Sequence, residues 1–244
     1  MTEPALSHKD DKDNRFYTNP VTGRTVPSVT TILKAVPKPF LINWAARLAA
    51  EYALSQPPMA EGVVEEATVQ HLRHRDAAGE FGTRVHENIE ARLKQLPPPH
   101  QGDRELLFLS HYAAWEEQYQ AFCVFSEATV WSDEYGYAGT ADWIGDVDGV
   151  TTLLDVKNSK SVSNSYGLQL AALAEADCIL TADGQRLELP KIQRIAVLHL
   201  RDQGYRYLVR DDWSDLRGPF LAAKAMWEFD LRWGGWRSLF REVK

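Results

Sequence analysis

Two carboxylates and one ammonium group on neighbouring strands can hold a hard divalent cation with a water beside it. This chain offers such a set at Asp142, Asp155 and Lys157. Asp155 and Lys157 are two residues apart, so in a strand their side chains share a face. Asp142 comes thirteen residues before Asp155 and three after Gly139. Mg²⁺ prefers oxygen ligands and keeps several of its waters, so Asp142 and Asp155 suit it as an anchor for one or two ions. A metal so held supplies a nucleophilic water, offsets charge on phosphoryl oxygens and stabilises a leaving alkoxide, which are the needs of phosphodiester hydrolysis. Lys157 would orient or deprotonate the water. Burial beside a metal lowers an ammonium pKa and nearby carboxylates raise it, so both roles stay open. Taken singly, Asp142 is an ordinary strand or bulge residue, Asp155 a surface acid and Lys157 a solvated lysine. It is their conjunction that favours the metal.

These residues need a β-ribbon to position them. Asp148-Gly149 is a strong hairpin signal, because a type I′ turn requires positive φ at both central residues. Apolar and β-branched residues flank it, which predicts strands over about 137–147 and 151–157. Asp146 and Asp148 are then turn acids. Upstream, 75–96 reads as a long helix with an apolar stripe at Phe81, Val85, Ile89 and Leu93. Gly82, His86 and Glu90 form an adjacent stripe. A lone histidine is more often structural than a ligand, but one imidazole among oxygens also suits Mn²⁺. Glu90 could join a metal through water, or be a solvated helix acid.

The ordered set His86, Asp142, Asp155, Lys157 and Gln169 resembles the PD-(D/E)xK nuclease superfamily. GTRVHENIE (82–90) and YGLQLAALAEA (166–176) are similar to its RecB-like exonuclease branch. PSVTTILKAVPKPFLINWA (27–45) is similar to phage-encoded members related to the mitochondrial genome maintenance exonuclease. The resemblance runs from about Val26 to Tyr207. It implies an α+β, restriction-endonuclease-like core, a mixed sheet flanked by helices, with an N-terminal helical lobe. It implies His86 as a metal ligand and Gln169 near the active site and the DNA. It implies an exonuclease acting on single-stranded DNA or on ends, in phage recombination or replication, with DNA and a recombination or replication protein as its expected partners. In the branch's Q-x-x-x-Y motif the Tyr position is here Leu173, which puts substrate contacts in doubt; Tyr166 is a substitute on the same helix. A structure-specific endonuclease of the same fold, and a non-catalytic nucleic-acid-binding protein, remain as alternatives.

Several further residues could touch a phosphate. Ser28 follows Pro27 and either caps a short helix or, through the exposed N–H groups there, holds a phosphate. Arg84 lies near His86, and Ser159 and Lys160 follow the strand of Lys157. Lys34 and Lys38 could contribute from the N-terminal lobe. Aromatics such as Trp44 could stack unpaired bases, although such residues are more often core.

At 244 residues the chain can form one large domain or a core with an appended lobe. Hydrophobic residues make up 44% of it, enough for a packed core. Residues 1–15 read as a flexible, solvated arm, 16–122 as a helical region including the His86 helix, and 123–244 as the sheet-containing core with a C-terminal helix. Helices are expected over 40–54, 63–73, 103–121, 166–177 and 214–233, and strands over 124–132, 193–200 and 205–210. Residues 181–190 read as a loop. No apolar run approaches the ~18 residues of a membrane helix. The polar N-terminus lacks a signal core, so the expected location is cytoplasmic, in the host cell if the chain is phage-encoded. Two cysteines cannot supply the four that some RecB-like nucleases use for an iron–sulfur cluster, which is therefore not expected. The net charge of −7 argues against tight non-specific coating of duplex DNA and favours a site that threads a strand or end; an acidic chain can still bind nucleic acid through a local basic groove.

Overall fold

The computed structural model describes residues 6–10, 13–57 and 60–233. From the N-terminus, β1 (Ser7–Lys9), β2 (Arg15–Thr18) and β3 (Thr25–Pro27) form a small antiparallel sheet. Next come α1 (Val29–Ile32), a 3-10 turn at Leu33–Ala35, α2 (Phe40–Ser55), α3 (Val63–Leu93) and α4 (Asp103–Gln118). Then follow β4 (Phe122–Ser132), β5 (Tyr137–Val147), β6 (Val150–Lys157), α5 (Asn164–Ala174), β7 (Cys178–Leu180), β8 (Arg186–Leu187), β9 (Arg194–Arg201), β10 (Gly204–Arg210) and α6 (Arg217–Trp233).

Seven strands make one mixed sheet in the order β10-β9-β6-β5-β4-β7-β8. β6 and β9 pair in parallel and the other neighbours are antiparallel. The β5–β6 turn forms as its residues dictate, with φ of 55° at Asp148 and 77° at Gly149. Asp146 accepts a bond from the Gly149 amide and closes the turn. A parallel pair cannot be joined by a tight turn, and the chain crosses from β6 to β9 through α5.

Helices cover both faces of the sheet. On one face, Phe81, Val85, Ile89, Phe108, Tyr112 and Trp115 of α3 and α4 pack on Trp143, Leu154, Val156 and Leu198. On the other, α1, α5 and α6 bring Val29, Ile32, Leu170, Leu173 and Phe220 onto Ala141, Ile144, Leu153 and Ile195. This is an α+β mixed sheet flanked by helices, the architecture of a restriction-endonuclease-like core. Among the described residues no helix is long and apolar enough to cross a membrane.

Four segments differ from the sequence expectation. The helices expected over 63–73 and 75–96 fall in a single helix, α3, because nothing between them breaks it: His71–Asp76 has ordinary helical residues and neither glycine nor proline. The stripe of α2 at Phe40, Trp44, Leu48 and Tyr52 is not buried: α2 packs chiefly against α3, and none of its residues is in the core. These two segments are the helical lobe. Ser7–Lys9 do not belong to a free arm: β1 pairs with β2, and the neighbouring Leu6 is buried with Tyr17 and Val26. The expected loop at 181–190 contains β8, which pairs with β7 across a turn where Gly184 has φ 85°. For the last helix the sequence predicts a stop at Gly234-Gly235, a pair that lies outside the described residues.

Candidate active site

β5 and β6 are hydrogen-bonded from the turn only as far as Trp143 and Leu154. Beyond that pair they part, and β6 continues alongside β9. The fork leaves the Val156 amide and carbonyl, which face the side that β5 has vacated, without strand partners. Two side chains take them. The Val156 amide donates to Asp142 Oδ2 at 3.0 Å, and His86 Nε2 meets the Val156 carbonyl at 3.0 Å. A buried backbone group must be paired, so the fork itself orients an acid and an imidazole.

With Nε2–H donated to a carbonyl, the neutral imidazole turns a lone pair outward at Nδ1. That nitrogen is 3.8 Å from Asp142 Oδ2 and 4.0 Å from Glu127 Oε1. His86, Glu127 and Asp142 together offer three ligand atoms all within 4.8 Å of one another. This spacing leaves room for one hard cation among them. Their side chains are 19%, 25% and 16% exposed, so the group is open to the cleft. Burial of His86 opposes its protonation, but the Asp142 and Glu127 carboxylates outweigh burial and raise its pKa.

Asp155 lies deeper, with its side chain 3% exposed. Its Oδ1 accepts from Lys157 Nζ at 2.6 Å and from Gln169 Nε2 at 3.1 Å. Its Oδ2 is buried and has no partner among the described residues. A buried carboxylate oxygen left bare is costly, and a cation beside it would satisfy it. Burial pushes the Asp155 carboxyl above the usual carboxylate range, against the pull of Lys157. Lys157 Nζ is also 4.0 Å from Asp142 Oδ2. Burial alone would lower the Lys157 pKa, but Asp155 and Asp142 outweigh it and the net shift is upward.

A cleft of about 450 Å³ opens on this group. Gln169, Tyr166, Ser28 and Lys38 line it. Ser28 is a helix cap: the Thr31 amide donates to its Oγ at 3.0 Å, and the residue is 1% exposed. Tyr166 donates to Ser159 Oγ at 3.2 Å, and its ring lies 5.4 Å from Lys157 Nζ. Lys160 is exposed. Arg84 does not line this cleft and is paired with Glu105 at 2.7 Å. Glu90 is paired with Lys94 and lies outside the His86 group, lining a small neighbouring cavity with His86 and Glu127. Lys34 donates to the Asp13 carbonyl and the Asn14 side chain, away from the cleft. Trp44 is half-buried on α2.

Two small residues shape the cleft. A Cβ on Gly139 would stand 2.5 Å from Leu173 Cδ2 and 3.3 Å from Val29 Cγ2. Leu173 therefore packs α5 against β5 and is 2% exposed, a place where an aromatic ring would not fit without rearrangement. A Cβ on Gly82 would come 3.3 Å from Asn158 Oδ1, so the gap one turn before His86 is filled by Asn158.

Glu127 is absent from the sequence reading. It sits in β4 between Ser126, paired with Trp143, and Ala128, paired with Ala141, so it stands opposite Asp142. Its φ of 51° breaks the strand locally. The turn at 133–136 sets this register, and counting back from it would have placed residue 127 beside 142. His199 was also missed. It is 2% exposed, adjoins Lys157 in the β6–β9 register, and its Nε2 meets the Ser159 carbonyl at 2.6 Å, fixing the loop after β6.

No protein-family model matches the chain, and no curated protein matches it. Solved structures do. The crystal structure of SSO0001 is 12% identical with a TM-score of 0.31, over 78% of this chain and 86% of that one. The crystal structure of an alkaline exonuclease (LHK-Exo) from Laribacter hongkongensis is 15% identical with a TM-score of 0.32, over 78% of this chain and 96% of that one. At these identities and TM-scores neither likeness assigns an activity to this chain.

Proposed function

We propose that this protein is a metal-dependent DNA nuclease that hydrolyses phosphodiester bonds, working as an exonuclease on single strands or ends. The observation that carries this reading is the fork between β5 and β6, where His86, Glu127, Asp142, Asp155 and Lys157 converge. His86, Glu127, Asp142 and Asp155 would hold Mg²⁺ or Mn²⁺, as one or two ions. When bound, the metal supplies an activated water and stabilises the leaving oxygen.

The chain's own groups do the rest. The carboxylates paired with Lys157 outweigh burial and raise its pKa, which favours an ammonium group that offsets phosphoryl charge and orients the water. Gln169 fixes the Asp155 oxygen that Lys157 also holds. His86 is kept in the tautomer that presents Nδ1 by its bond to the Val156 carbonyl. The setting in phage recombination or replication, with protein partners there, rests on the sequence resemblance.

The test is degradation of end-labelled linear and circular DNA, single- and double-stranded, with Mg²⁺, Mn²⁺ or EDTA. Metal-dependent loss of linear but not circular DNA is expected. Cutting of circles would reassign the protein as an endonuclease, and binding without cleavage would overturn the catalytic reading.

A further inference from the structure

The chain is acidic, yet its reading as a nuclease requires it to hold a polyanion. Most of its arginines are spoken for. Arg84, Arg92, Arg104, Arg194 and Arg217 each face a carboxylate within 3.0 Å. Arg15 has no carboxylate within ion-pair distance among the described residues, and it lines the same cleft as His86, Asp142 and Lys157.

Its position is rigid. The Arg15 amide donates to Thr31 Oγ1 at 2.7 Å, and the Arg15 carbonyl accepts from that hydroxyl at 3.1 Å and from the Ser28 amide at 2.9 Å. Tyr17 is two residues on and on the same face of β2. It is 1% exposed, and its hydroxyl pairs with Thr140 Oγ1 at 2.8 Å. Thr140 is two residues before Asp142. The wall that carries Arg15 is therefore tied directly to the strand that carries the acid. A half-buried guanidinium held on a fixed backbone loses little freedom on binding, and its planar fork matches a phosphate.

We propose that Arg15 anchors a phosphate of the nucleic-acid strand next to the one that is cleaved. The scissile phosphate belongs at the carboxylate group, and Arg15 is beyond ion-pair distance of those acids. The inference rests on the nuclease reading for its substrate. Because Arg15 lies on β2, outside the span of the sequence resemblance, its assignment comes from the cleft alone.

The experiment is fluorescence anisotropy of a labelled single-stranded oligonucleotide in EDTA, across a salt series, with the full chain. Wild type is compared with Arg15→Ala, Arg15→Lys and Arg206→Ala. Arg206 is an exposed arginine of β10 that does not line the cleft. Arg15→Ala should weaken binding about tenfold or more and lower the salt slope by about 0.7, the contribution of one phosphate contact on a single strand. Arg15→Lys should keep the slope and lose part of the affinity, and Arg206→Ala should match wild type. Unchanged affinity and slope in Arg15→Ala, with an unchanged melting temperature, overturns the proposal. Cleavage by wild type with Mn²⁺ is measured in parallel. Cleavage together with Arg15-independent binding rejects the anchor but leaves the nuclease. Arg15-dependent binding without cleavage rejects the nuclease and supports the anchor.

Discussion

The two ends of the β5–β6 ribbon are built from one continuous pair of strands and do opposite things. Near the turn, the strands are paired from Val147–Val150 to Trp143–Leu154, and Trp143, Ile144, Val147, Leu153 and Leu154 there are core. Trp143 there meets Trp115 edge-on at 5.8 Å. At the far end the strands part, and the backbone of Val156 is satisfied by Asp142 and His86. The closed end buries apolar surface and can be rigid without further help. The open end collects charge, leaves Asp155 Oδ2 bare and depends on the closed end for its geometry. Stability and chemistry are thus separated by a few residues along the same strands.

Substitutions at the two ends should therefore fail in different ways. At the open end, Lys157→Ala should lower turnover of DNA by about 10²–10³-fold or more while the fold survives. Asp155, already raised by burial, would take up a proton in place of its lost partner. Circular dichroism and a nuclease assay check both halves; retained turnover would remove Lys157 from the mechanism. At the closed end, Trp143→Ala should cost about 3–5 kcal/mol through the cavity it leaves, read from urea unfolding. Residual activity should scale with the folded fraction.

A smaller effect distinguishes the closed end by pH. Cys123 pairs with Gly145 there, and burial pushes its thiol up to about 12. Its folded pKa is raised, so the native state disfavours the thiolate. Stability is unaffected below the unfolded thiol's value of about 8.5 and declines as pH rises from there towards the folded value. At pH 8, iodoacetamide should label Cys123 more slowly in the native protein than in guanidinium. Equal rates would mean that this strand end is open.

The sequence makes the ribbon legible because its signals are local. Asp148-Gly149 specifies positive φ, and the two-residue spacing of Asp155 and Lys157 puts both on one face. The seven-stranded order is not local: β9 joins β6 in parallel through a crossover, and such pairing leaves no adjacent mark. Glu127 was hidden because it sits in an apolar strand and its relation to Asp142 depends on register across another turn. The stripe on α2 misled because helical period says which residues share a face and not whether anything covers it. Leu173 was puzzling in sequence and is explained by Gly139, a contact between elements 34 residues apart.

The central claim is that the open end of the ribbon binds a divalent cation through His86, Glu127 and Asp142 with Asp155 beneath. The most direct measurement is calorimetric titration of Mn²⁺ into the wild type, Glu127→Gln and Asp142→Asn. The account predicts saturable binding to the wild type that weakens more than about a hundredfold in Asp142→Asn, since even residues that only support a ligand cost 10–100-fold. Glu127→Gln should also weaken it. Equal binding by all three proteins, or none by the wild type, would contradict it.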